Sequence, residues 1–110
     1  MYKLIYLYIL RCSDGTYYTG VTNNLEKRIE EHNIGIHKES YTFTRKPVLL
    51  VWHELFNDFN LAFDWESRIK KWSVKKKEAL INGEFHLLKD LSKEDLSKED
   101  FTKKSSRYKK

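Results

Sequence analysis

The chain opens on an almost unbroken apolar run. Residues 3–11, Lys-Leu-Ile-Tyr-Leu-Tyr-Ile-Leu-Arg, lead into Cys12-Ser13-Asp14-Gly15. A short apolar run bounded by turn residues predicts a strand buried on both faces. Residues 16–22, Thr-Tyr-Tyr-Thr-Gly-Val-Thr, hold the aromatic and β-branched types that suit a pleated surface. Together they predict a hairpin. A two-residue Asp14-Gly15 turn pairs residues whose numbers sum to 29. A three-residue Ser13-Asp14-Gly15 loop with Gly15 left-handed gives a sum of 28. Side chains alternate along a strand. The sum of 28 therefore puts Tyr8, Tyr18 and Gly20 on one face, and the sum of 29 puts the two tyrosines on opposite faces. The pattern leaves both open.

The period then changes. Asn23 is a good N-cap, with Glu26 three residues on where a capping-box acid would sit. Leu25, Ile29 and His32 follow at helical spacing, which predicts a helix over about 24–33 that ends at Gly35. Arg28 and His32, four apart, share a face of it. Residues 36–47 are polar and basic and read as an exposed loop. Val48 to Phe56 is a third apolar run and a third strand. Leu61, Trp65, Ile69 and Trp72 mark a helix at about 60–72. Ser73 caps a second, about 74–82, which stops at Asn82-Gly83. Its basic first turn, Lys75-Lys76-Lys77, opposes the helix dipole. The segment Leu91-Ser-Lys-Glu-Asp then repeats at Leu96, and residues 89–110 read as a weakly ordered charged tail behind a domain at 1–88. The fold class expected is α/β (α+β): a small three-stranded, mainly antiparallel sheet flanked by helices.

Composition narrows the class. With 110 residues, 40% hydrophobic and 15% aromatic, the chain can build one core but not two. A lone Cys12 excludes an internal disulfide and a Cys-rich zinc site. No apolar run reaches membrane-spanning length, and residues 4–10 lack the features of a signal peptide, so a cytoplasmic protein without a membrane partner is expected. The net charge of +5 favours a polyanionic partner without requiring one.

Several polar residues sit where structure alone does not ask for them. Gly20 interrupts a strand, which weakens it unless something approaches closely. Arg28 and His32 share a helix face, and Glu66 borders an apolar stripe. In isolation each has an ordinary role: a core aromatic for Tyr8, strand propensity for Tyr18, a solvated charge for Arg28, helix packing for His32, and an i,i+4 pair with Lys70 for Glu66. Taken in order, Tyr6-Leu7-Tyr8, Tyr18-Thr19-Gly20, Arg28, His32 and Glu66 within Trp65-Glu66-Ser67-Arg68 resemble the GIY-YIG endonuclease family, most of all its small stand-alone bacterial members. The segments Tyr41-Thr42 to Val48 and Lys76 to Ile81 add to the likeness, which covers about residues 3–83. Tyr6 and Leu7 stand where the family name has Gly and Ile, and Thr19 occupies the middle of the second triplet. Neither change removes a functional side chain.

The resemblance implies a metal-dependent phosphodiesterase acting on DNA, with RNA as the other candidate substrate, in DNA repair or processing. Glu66 would hold Mg²⁺, with Mn²⁺ as a substitute, since a lone carboxylate plus water suits a hard cation. Arg28 would grip the scissile phosphate. Tyr8 or Tyr18 would orient or deprotonate the attacking water, and His32 would share proton transfer. Both tyrosines must then face one side, so the resemblance favours the register of 28 and a left-handed Gly15. Lys38, Arg45, Lys46, Arg68, Lys70 and Lys71 would contact the DNA backbone, which positions without reading sequence. In a chain of this length, selectivity for DNA structure is expected rather than for long sequences. The rival readings are a nucleic-acid-binding module with little or no catalysis and a nuclease subunit dependent on an unknown protein partner.

Overall fold

The structure is a computed structural model and describes residues 4–84; the charged segment 89–110 and the domain boundary at 88 lie outside the described residues. Strands β1 (Ile5–Arg11), β2 (Tyr17–Thr22) and β3 (Leu49–Phe56) and helices α1 (Leu25–Ile34), α2 (Phe59–Lys70) and α3 (Val74–Ile81) follow one another in the order β1-β2-α1-β3-α2-α3. The three strands form one sheet in the order β2-β1-β3, antiparallel throughout.

β1 is the central strand, which is why its sequence is apolar without alternation. Leu7 and Ile9 face Ala62, Trp65 and Ile69 of α2 and Ala79 and Leu80 of α3. Tyr8, Leu10 and Cys12 face the other way, into a second cluster with Leu25 and Ile29 of α1 and with Val48. The sheet is thus sandwiched between α1 on one side and the α2–α3 pair on the other.

The hairpin takes the three-residue form. Tyr8 pairs with Gly20 and Leu10 with Tyr18, the register of 28. Gly15 is left-handed at φ 84°, and its N–H donates to the Cys12 carbonyl at 3.0 Å. Asp14 Oδ1 accepts from both the backbone N–H and the hydroxyl of Thr16, at 3.1 and 2.6 Å, which stiffens the turn.

Two local expectations change. The N-cap of α1 is Asn24, not Asn23: its Oδ1 accepts from Lys27 N–H at 3.1 Å. Thr22 is still in β2, and its hydroxyl accepts from Asn24 N–H at 3.1 Å, so the chain enters the helix one residue late and Glu26 misses the capping-box position. Residues 36–47 are not simply an exposed loop. Thr42 is buried, a 3₁₀ turn spans Phe43–Arg45, and Ser13 N–H donates to the Arg45 carbonyl at 2.9 Å, which ties this segment to the hairpin. Ser40, Thr42 and Arg45 find polar partners within the fold, and composition alone does not reveal that. Lys76, one of the three lysines of the basic first turn, is buried with its ammonium 4.0 Å from the Trp72 ring centroid. The Ser73 cap and the Asn82-Gly83 stop of α3 stand as read.

A β-carbon at Gly15 meets nothing within 4 Å. Gly15→Ala should therefore lose only the left-handed backbone preference, about 1–2 kcal/mol, in urea denaturation, and Gly15→Asn should lose less.

Candidate active site

With the register at 28, the Tyr8 ring lies over Gly20. A β-carbon at Gly20 would stand 2.6 Å from Tyr8 Oη, 2.8 Å from its Cζ and 3.1 Å from Tyr18 Cε2. Only a residue without a side chain leaves that room, which accounts for glycine in mid-strand. The Tyr8 and Tyr18 rings sit 6.3 Å apart between centroids, with Tyr8 fully buried.

α1 lays Arg28 and His32 across the same face. The His32 ring meets Tyr18 edge-on at 5.1 Å and Tyr8 at 6.5 Å. Its Nε2 makes a long contact of 3.4 Å to Tyr8 Oη, and its Nδ1 a short one of 2.6 Å to Thr42 Oγ1. Thr42 Oγ1 in turn lies 3.0 Å from Ser40 Oγ.

Burial acts oppositely on the two ionisable rings. It pushes the Tyr8 phenol well above its ordinary value of 10, and Tyr18 adds to the rise; Arg28 pulls the other way, and the Glu66 charge adds a last upward push. It holds the His32 imidazole below its ordinary value of 6.5, and the Arg28 charge lowers it further. Both rings are therefore neutral at pH 7. A neutral imidazole has one N–H donor and one acceptor nitrogen, so it donates to one of the Tyr8 and Thr42 hydroxyls and accepts from the other.

A cleft of about 360 Å³ opens beside this network, lined by Tyr18, Arg28, His32, His37, Glu39, Ser40 and Tyr41. Arg28 is 38% exposed, and its Nε lies 3.4 Å from Glu31 Oε1, an oxygen that His37 Nε2 also approaches at 3.4 Å. Tyr18, Arg28 and His32 thus meet at the cleft, with Tyr8 behind them. Glu66 does not line it. α2 packs on the opposite face of the sheet, and the Glu66 carboxylate, 17% exposed, pairs with Lys70 Nζ at 3.3 Å. Its charge is nevertheless felt at the Tyr8 phenol.

The basic residues expected on the DNA backbone divide. Arg45 donates to Asp14 Oδ2 at 3.0 Å, Lys46 Nζ lies 4.4 Å from the Phe43 ring centroid, Arg68 pairs with Asp64 at 3.3 Å, and Lys70 holds Glu66. Lys38 and Lys71 are exposed. Thr42 and Ser40, which fix His32, are not among the site residues read from the sequence, although Tyr41-Thr42 belongs to the segment that carries the family likeness. A further trace is that Thr42 is a polar residue between two aromatics, Tyr41 and Phe43.

Residues 4–79 match the GIY-YIG catalytic domain. The chain belongs to the GIY-YIG family. That family is one of nucleases acting on DNA. Among curated relatives, the UPF0213 protein of Syntrophus aciditrophicus is 47% identical over 76 residues, 69% of this chain and 87% of that protein. The UPF0213 protein of Clostridium perfringens is 48% identical over 77 residues, 70% of this chain and 82% of that protein. The solution NMR structure of the protein EF2693 from E. faecalis aligns with a TM-score of 0.54 at 37% identity, covering 79% of this chain and 93% of that one. The GIY-YIG fold expected from the sequence is the fold observed. Among the described residues, no helix is long and apolar enough to cross a membrane.

Gly20→Ala should force the Tyr8 ring out of place, since that ring is packed on all sides. A loss of about 1–3 kcal/mol in urea denaturation, with altered His32 ring shifts by NMR, is the expected result.

A second prediction concerns pH. The unfolded chain binds the His32 proton more readily than the folded one, because the folded value lies below 6.5. Stability from this group is therefore complete above that value and falls as the pH drops below it, until folded His32 protonates. Urea midpoints between about pH 5 and 8 should follow this slope, and His32→Gln should flatten it.

Proposed function

We propose that this GIY-YIG protein is a metal-dependent endonuclease that hydrolyses DNA phosphodiester bonds in repair or processing. The observation that carries the reading is the meeting of Tyr18, Arg28 and His32 at one open cleft, with the buried Tyr8 phenol hydrogen-bonded behind them. Arg28 grips the scissile phosphate through its guanidinium fork. Tyr18, the tyrosine that lines the cleft, orients the attacking water and accepts its proton. Tyr8 is held protonated by burial, and its hydroxyl keeps His32 Nε2 in place. Water oxygen bonds to phosphorus as its proton passes to Tyr18 in the phenolate form, the bond to the leaving oxygen breaks, and that oxygen takes a proton from solvent water.

The donor set suits a hard cation. Among the described residues no group of three or more His, Cys, Asp or Glu could hold an ion. The protein would thus offer the single carboxylate of Glu66, and Mg²⁺, which keeps most of its water, fits such a site better than zinc does. When bound, the cation supplies positive charge to the phosphoryl oxygens and the leaving oxygen. A cleft built of few side chains makes few base-edge contacts, which supports selectivity for DNA structure over sequence.

One observation favours the rival reading of a binding module with little catalysis: Glu66 lies outside the cleft lining and is already paired with Lys70. A cleavage panel of branched, flapped, nicked and single-stranded DNA separates the two. Glu66→Ala should lower cleavage by about 10²–10³-fold or more and leave DNA binding unchanged or tighter, and EDTA should act on cleavage alike. Wild-type protein that binds this panel but cuts none of it with Mg²⁺ or Mn²⁺ would establish the binding reading.

A further inference from the structure

Tyr41 has no part in the chemistry above, yet the fold holds it with unusual care. It lines the cleft and is 42% exposed. Its ring plane lies within 22° of the Tyr18 plane, with 6.4 Å between centroids, so the two rings sit side by side rather than covering each other face to face. The Arg45 guanidinium carbon lies 3.9 Å from the Tyr41 ring centroid. Arg45 is anchored in turn: its Nη1 donates to the Tyr41 carbonyl at 2.8 Å and its Nε to Asp14 Oδ2 at 3.0 Å. Asp14 belongs to the hairpin turn that sets the register. Tyr41 joins neither core cluster. Hydrophobic burial therefore does not explain why so exposed an aromatic ring is braced from the hairpin. An aromatic surface ordered before any ligand arrives is what a flat apolar ligand requires.

We propose that Tyr41 and Tyr18 form a ledge on which one unpaired nucleobase of DNA stacks, beside the phosphate held at Arg28. Arg45 and Asp14 are positioning residues for that ledge. The inference rests on the nuclease reading for the place of the phosphate and deepens it by naming the substrate class. Inside a duplex, both faces of a base are covered by its neighbours. An aromatic ledge can engage only a base that is single-stranded or turned out of the stack. The cleft volume, about 360 Å³, falls within the range of small-ligand sites, roughly 300–1,000 Å³. The substrate is thus DNA with an unpaired nucleotide next to the cut, as in a flap, gap or loop.

The test uses oligonucleotides with 2-aminopurine at one position, either paired in a continuous duplex or unpaired at a gap, bound in EDTA so that no turnover occurs. Stacking quenches the fluorescence of this base. The wild-type protein should quench the unpaired probe and leave the paired one unchanged. Tyr41→Ala and Tyr41→Leu should lose the quench and weaken gap binding roughly ten-fold while duplex binding holds. Tyr41→Phe, which keeps the ring, should restore both, an outcome that a role in folding alone would not give if circular dichroism spectra match throughout. Unchanged quenching in Tyr41→Ala and Tyr41→Leu, or equal losses on paired and unpaired DNA, would overturn the ledge. Failure of the nuclease reading looks different: the quench persists, and the wild-type protein cuts nothing with Mg²⁺ or Mn²⁺.

Discussion

The Tyr8 ring occupies the space that a side chain at Gly20 would fill, and the rest of the site is arranged around that contact. Protein interiors tolerate little overlap, so the phenol and the missing β-carbon specify each other. The pairing of residue 8 with residue 20 follows from the three-residue hairpin loop, and that loop needs a left-handed residue at position 15. Slipping the register by one would turn Tyr18 to the other face of the sheet. A turn at the surface therefore decides whether two phenols and an imidazole can meet.

Once they meet, burial sets their charge. Withdrawing water raises the Tyr8 phenol and lowers the His32 imidazole, leaving both uncharged near neutrality. A neutral imidazole needs one donor and one acceptor partner, and Tyr8 and Thr42 fill those places. Beside the Glu39 side chain, Arg28 is the positive charge at the cleft. It opposes burial at Tyr8 and reinforces it at His32, and its partial exposure leaves it available to an anion. The site is thus a neutral, hydrogen-bonded pair of rings under a lip that carries both Arg28 and Glu39.

The polar stretch between α1 and β3 completes that lip. Its hydroxyls fix His32, its aromatic ring adjoins Tyr18, and its arginine is bonded back to the hairpin. The overall charge of +5 gives little guide to a binding face, because many of its cations already have partners inside the fold. Lys76 is buried on Trp72, Arg68 is paired with Asp64, and Lys70 is paired with Glu66.

The features legible in the chain are those with a local cause. Apolar runs and a period near 3.6 locate the three strands and three α-helices but not the 3₁₀ turn at Phe43–Arg45, because burial of one face imposes a repeat on neighbouring positions. The four-residue spacing of Arg28 and His32 put them on one helix face for the same reason. The unalternating β1 reads as a strand buried on both faces, and the sheet order makes it the central one. The motif order pointed to the GIY-YIG family. Other features depended on contacts between distant segments. Two hairpin registers were compatible with the same turn residues, and the ring packed on Gly20 is met only in the assembled sheet. Thr42 is a buried hydrogen-bond partner because α1 places His32 above it, a fact that no window of sequence around residue 42 contains. The same holds for the layer in which Glu66 lies: helical period fixes its angle on α2, and only the packing of α2 against the sheet decides how near that carboxylate comes to the phenols.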